Sequence, residues 1–265
     1  MNTAAADRFS LQRTAHLARW NAVLLTRNRL AFVYAVVMPL LPLGLLFTGE
    51  RGDEAVGANA VTTLFLVAGL FPVYYNVLAQ FVNRRDELVL KRMRTGEARD
   101  AELIVSIAIP GAVSALVSAA IAVPVALALD QPLPVNPVIY AGGAVLIVIM
   151  FTAFAYWTAA WTQSAEAAQL TSLPIILIVS AAPLLTAIPD LSDTIRDLVS
   201  YTPGAAMSDL VRAAWFGFDG PLAEETTLTF SSSWGPALQP LAVLFAWSAV
   251  AYSLASRSMR WEPRS

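Results

Sequence analysis

The chain has 265 residues, 57% of them hydrophobic and 14% charged; a soluble globular domain carries about 25% charged residues, so that class is excluded. Cysteine is absent, which removes a disulfide framework, a thiolate metal site and a cysteine nucleophile. The net charge of −2 hides an asymmetry that emerges along the chain.

Residues 1–29 carry Arg8, Arg13, Arg19, Arg27 and Arg29 without an apolar core and small-residue cleavage site, so a cleavable signal peptide is not expected. Phe9, Leu17, Trp20 and Leu24 share one helical face, which predicts a helix lying in the membrane interface; a loose basic tail is the alternative. His16 is the only histidine and reads as an interfacial side chain. Six runs then lack Asp, Glu, Lys and Arg: Leu30–Gly49, Ala55–Asn83, Leu103–Leu129, Gln131–Ala165, Ala167–Pro189 and Thr226–Ser256. Each reaches the ~20 residues that a helix needs to cross a bilayer. None has the period-two pattern of barrel strands.

Pro39 and Pro42 predict a kink in the first span. The second span carries Pro72 followed by Tyr74, Tyr75 and Asn76, and Asn76 and Gln80 fall on one face. Polar groups there pack helix on helix or line a path. Thr171 and Ser172 stand at the start of the fifth span, and these six residues form the candidate substrate path. Pro189–Trp234 is the one long outer segment. A short helix is expected over Asp190–Val199. Thr202-Pro203 reads as an N-cap followed by a proline at the first helical position. Met207, Leu210, Val211, Ala214 and Trp215 make an apolar stripe after it. Such helices either lie on the outer surface or dip into the membrane.

With the N-terminus inside and six spans, fourteen of the seventeen basic residues fall on inner segments. That split predicts both termini in the cytoplasm. The layout is one membrane domain: an interfacial helix over 1–29, a six-span part over 30–256 and a tail over 257–265.

Arg84–Glu102, RRDELVLKRMRTGEARDAE, holds six basic residues, among them the only lysine, Lys91. Leu88, Val89, Leu90 and Met93 interleave the charges as in a small amphipathic helix, with Thr95-Gly96 as its stop. Two readings stay open: a docking helix for a cytoplasmic partner, or an ordinary positive-inside loop.

The plan of basic helix, two spans, charged loop, three spans, helical outer segment and last span resembles the permeases of type-2 ATP-binding-cassette exporters. The sequence is similar to that family along nearly its whole length, and most to small bacterial drug- and antibiotic-resistance permeases. RRDELVLKRMRTGEARDAELI resembles the loop between spans two and three, and Glu166–Trp215, with Tyr201-Thr202-Pro203, resembles the later region. Gly96-Glu97-Ala98 departs from the proline that often follows the turn. The resemblance implies an all-α membrane fold of six transmembrane helices, with a cytoplasmic coupling helix and short outer helices between spans five and six. It implies that Glu87, Leu88, Lys91, Arg92, Arg94, Thr95 and Glu97 contact an ATPase. It also implies two cytoplasmic ATPase subunits holding the ATP and Mg, a second permease subunit expected to be another copy, and a bacterial inner-membrane location.

Lys91 has no glycine-rich loop before it, so a P-loop is not expected. The runs hold no charged residue to serve as a proton or sodium site, and no residue cluster suggests a metal or a hydrolase. No nucleic-acid partner is expected. The functional expectation is an exporter permease, not an enzyme, for an amphipathic or hydrophobic compound in a lipid membrane. A polysaccharide or lipid-linked exporter, and a non-transporting scaffold that recruits a cytosolic partner, are the alternatives.

Overall fold

The computed structural model describes residues 9–48, 50–87, 99–164, 166–186, 188, 192–221, 223 and 225–258. Every regular element among them is helical, as required where lipid offers no partner for a backbone N–H or C=O. In chain order these are α1 (Leu11–Arg27), α2 (Arg29–Phe47), α3 (Glu54–Asp86), α4 (Asp100–Leu127) and α5 (Pro137–Trp161). There follow α6 (Ala167–Thr171), α7 (Leu173–Thr186), α8 (Asp193–Ser200), α9 (Pro203–Val211) and α10 (Trp234–Ser258). α2, α3, α4, α5 and α10 are long and apolar enough to cross a membrane. The protein is an all-α, multi-pass membrane protein.

The expected fifth span is divided into α6 and α7, and its apolar stretch, Ala167–Ala182, is shorter than the other spans. Pro174 has no N–H to donate to the Leu170 carbonyl, which weakens the helix at the Ser172 joint. Prolines act elsewhere by changing helix type. α2 winds through a π turn at Val33–Val37 and then a 3-10 stretch at Met38–Phe47, where the sequence predicts a kink at Pro39 and Pro42. In α3 a π segment, Gly69–Tyr75, surrounds Pro72.

The central helix is α5, which packs on α10 and α3. Gly111 of α4 lies so close to α3 that a side chain there would strike the Pro72 carbonyl, and Gly204 of α9 approaches the Val179 carbonyl of α7 in the same way. Thr202 caps α9, its hydroxyl accepting from Ala205 N at 3.3 Å. The stripe Met207, Leu210, Val211, Ala214 and Trp215 is buried, and so are Pro203, Gly204, Ala205 and Ala206. α9 is therefore wedged among α3, α5, α7 and α10 rather than resting on the bundle.

α1 begins at Ser10, whose hydroxyl accepts from Arg13 N. It packs on α4, and its buried residues are Thr14, Ala18 and Asn21. Phe9, Leu11, Trp20 and Leu24 are exposed, and Leu17 is half-buried. This is the amphipathic arrangement expected of an interfacial helix. His16 accepts a hydrogen bond from Trp20 Nε1 at 3.0 Å.

Candidate functional site

Leu88, Lys91, Arg92, Arg94, Thr95 and Glu97 lie outside the described residues. The two sides of their segment are described, and each is fastened. Before it, Glu87 is exposed at the end of α3. Arg85 is fully buried and donates from Nη1 to Ala159 O at 3.0 Å and from Nη2 to Thr162 O at 2.7 Å and Gln163 O at 3.3 Å. These carbonyls belong to the last turn of α5 and the residues just after it, where no further helical N–H is available and where the helix dipole favours a cation. Arg84 donates to Asn21 Oδ1 of α1 at 2.6 Å and to Gln80 Oε1 at 3.1 Å. Asn21 Nδ2 donates in turn to Ser106 O of α4 at 2.7 Å.

After the segment, Glu102 is fully buried. Its carboxylate accepts from Ser10 N at 2.6 Å, Arg99 N at 3.2 Å, Arg13 Nε at 3.1 Å and Arg13 Nη2 at 2.9 Å. Two-pronged guanidinium contacts of this kind fix geometry as well as charge. On either side of residues 88–98, α3 is thus tied to α1 and α5, and α4 to α1, by charge-assisted hydrogen bonds.

A groove of about 640 Å³ opens between α2, α3 and α6. Tyr34, Phe71 and Tyr75 form its aromatic wall, with Tyr34 stacked on Phe71 at 5.8 Å and Phe71 5.9 Å from Tyr75. The π turns of α2 and α3 both border it, and such turns redirect side chains without ending a helix. Of the candidate path residues, Tyr75 and Asn76 line the groove. Ser172 is buried 3.4 Å from the Tyr75 hydroxyl. Gln80 Nε2 donates to Asn76 Oδ1 at 2.8 Å. Tyr74 is buried, with its hydroxyl 3.0 Å from Thr158 Oγ1, and Thr171 pairs with Thr162 at 2.8 Å; both face helix packing.

Asn76 Nδ2 has no hydrogen-bond partner among the described residues. Its orientation follows from Arg84, which can only donate. Gln80 must turn its oxygen to Arg84 and its nitrogen to Asn76, leaving the Asn76 N–H group buried beside the groove.

Ser164 and Glu166, close in sequence, form a local turn: the Ser164 hydroxyl accepts from Ala167 N at 3.3 Å and holds the Glu166 carboxyl below its ordinary value. At the opposite end of the bundle, Asp209 of α9 is pushed up to about 6 by burial, against the opposing pull of Arg212. The Arg212 guanidinium sits 5.0 Å over the Phe218 ring and donates to the Ala223 carbonyl. Trp215 Nε1 donates to Pro132 O at 2.9 Å. Asn136 caps α5 through Ile139 N at 3.0 Å and donates to Phe230 O at 3.1 Å. Sequence reasoning missed Arg13–Glu102, the Arg85 clamp and Asn136. Only the Asn136-Pro137 cap carried a local signal; the other two depend on partners distant in the chain.

No curated protein matches the sequence. A family model described as ABC-2 family transporter protein matches residues 35–257, which takes in most of the groove lining, the charged segment and all five candidate spans except residues 29–34 of α2 and the last residue of α10. The chain belongs to the ABC-2 family of transporter proteins and is a membrane permease component of an ABC transporter.

Proposed function

We propose that this permease exports an amphipathic or hydrophobic compound, powered by separate ATPase subunits that hold ATP and Mg. The observation that carries the reading is the continuous hydrogen-bonded path from segment to groove. Arg84 stands at the start of the charged segment, contacts Gln80, and through it sets the Asn76 amide beside Tyr75. Motion of residues 88–98 would reach the groove along this path, and through Arg85 and Glu102 it would reach α5 and α1. Glu87, Leu88, Lys91, Arg92, Arg94, Thr95 and Glu97 form the docking surface for one of the two ATPase copies in the cytoplasm. The full transporter pairs this chain with a second copy in a bacterial inner membrane, with both termini inside. The aromatic wall suits an apolar cargo, and Asn76 places a polar side chain beside it.

The test is efflux of a fluorescent amphipath from cells expressing the permease with its ATPase. Tyr75→Ala and Asn76→Ala should each lower efflux about tenfold while leaving ATPase co-purification unchanged, since the first removes part of the aromatic wall and the second leaves the Gln80 amide without its acceptor, a loss of about 1–3 kcal/mol. Unchanged efflux in both variants rules out the groove as the cargo path.

A further inference from the structure

The basic residues near α1 divide into two groups. Arg13, Arg84 and Arg85 donate to internal partners. Arg19, Arg27 and Arg29 are exposed, and none makes an ion pair with a described residue. Arg19 also lines a second crevice, about 510 Å³, between α1, α2 and α4. Ala15, Ala18 and Ala22 of α1 are too short to fill it, and Val113 and Val117 of α4 stand half exposed on its far wall. Its volume lies within the range of about 300–1,000 Å³ usual for ligand sites.

We propose that this crevice binds one acyl chain of an anionic phospholipid, with the lipid phosphate held at Arg19. Three observations select that occupant. The exposed Leu11, Trp20 and Leu24 on α1 are those of a helix lying in the interface, so the crevice sits where headgroups meet acyl chains. Its walls are apolar apart from Arg19, Thr26, Ser114 and Ser118, and the Ser114 and Ser118 hydroxyls are already committed to the Ala35 and Ser114 carbonyls. The remaining free positive charge lies at the rim, and basic residues beside a membrane surface attract anionic lipid. The crevice is separate from the cargo groove, which lies on the other side of α2 and carries no cation among its lining residues.

The test is native mass spectrometry of the full chain, purified without ATPase or nucleotide from nanodiscs of equal phosphatidylglycerol and phosphatidylcholine. The wild-type chain should retain phosphatidylglycerol preferentially. Arg19→Gln should reduce that preference about fivefold, the effect of one basic residue at a membrane surface. Val117→Trp, which fills the crevice from an exposed position, should abolish retention of both lipids. Equal retention of the two lipids by the wild type, or an unchanged preference in Arg19→Gln, overturns the proposal. A change in the number of chains per particle in Val117→Trp, with lipid retention intact, assigns the crevice to a second copy and overturns it as well.

Discussion

Two arginines are buried at opposite ends of the bundle, and they are held differently. Arg85 sits among carbonyls of α5 and the turn that follows it, with the Asp86 carboxylate 3.6 Å from its Nε. Arg212 rests over Phe218, donates to Ala223 in a loop and neighbours a carboxyl whose charge burial disfavours. The first joins the ends of two membrane helices. The second closes a loop over the wedge made by α9. In lipid, apolar contact between helices gains little over contact with acyl chains, so polar joints decide which helices move together. The end near residues 88–98 therefore joins several helices through polar contacts, whereas the opposite end secures a loop beside α9.

The largest expected effect separates these joints. Arg85→Ala leaves the α5 carbonyls without a donor and should lower resistance to unfolding in detergent by about 3–5 kcal/mol. Arg212→Ala should cost about 1–2 kcal/mol, because a cation–π contact and one loop hydrogen bond are lost. Equal losses would erase the distinction between the two ends. Glu102→Gln comes next. Arg13 is partly exposed, so the cost should be about 2–3 kcal/mol, below that of a fully buried pair. Hydrogen exchange should speed up in α1 while the core of α5 stays protected.

The smallest effect sharpens the account of the opposite end. Burial raises Asp209 from 3.8 to about 6, so its ionised form costs stability above that pH. The penalty should fade as pH drops through about 6 and be gone near 3.8. Asp209→Asn should gain about 1–2 kcal/mol at pH 7 and flatten this pH dependence, as read by unfolding in detergent between pH 4 and pH 8.

Much of the fold was legible because lipid demands long apolar helices, and charge-free runs report them directly. The Thr202-Pro203 cap and the stripe through Trp215 were legible because both are local patterns. What the stripe did not reveal is that the opposite face of α9 is also buried, since Gly204 and its neighbouring alanines read as neutral until α7 and α10 surround them. Tyr74 and Tyr75 were indistinguishable in sequence; the π turn at Pro72 sends one to Thr158 and the other to the groove. The arginines at the start of the charged segment read as part of a docking helix or as topological signals. The role of Arg85 as a clamp depends on carbonyls more than seventy residues away, and that of Arg84 on the Asn21 side chain of α1, which no local pattern encodes.

We propose that the segment flanked by Arg84, Arg85 and Glu102 receives the motion of an ATPase. Charge reversal at Glu87, exposed at its start, and at Glu97 within it tests that claim without touching the clamps. Like charges brought together at an interface weaken association, whereas added lysine on an inner loop favours correct insertion. The decisive measurement is efflux of a fluorescent amphipath together with ATPase co-purification in Glu87→Lys and Glu97→Lys, at matched expression. The account predicts normal membrane insertion with efflux and co-purification both reduced at least fivefold; wild-type efflux and co-purification in both variants would contradict it.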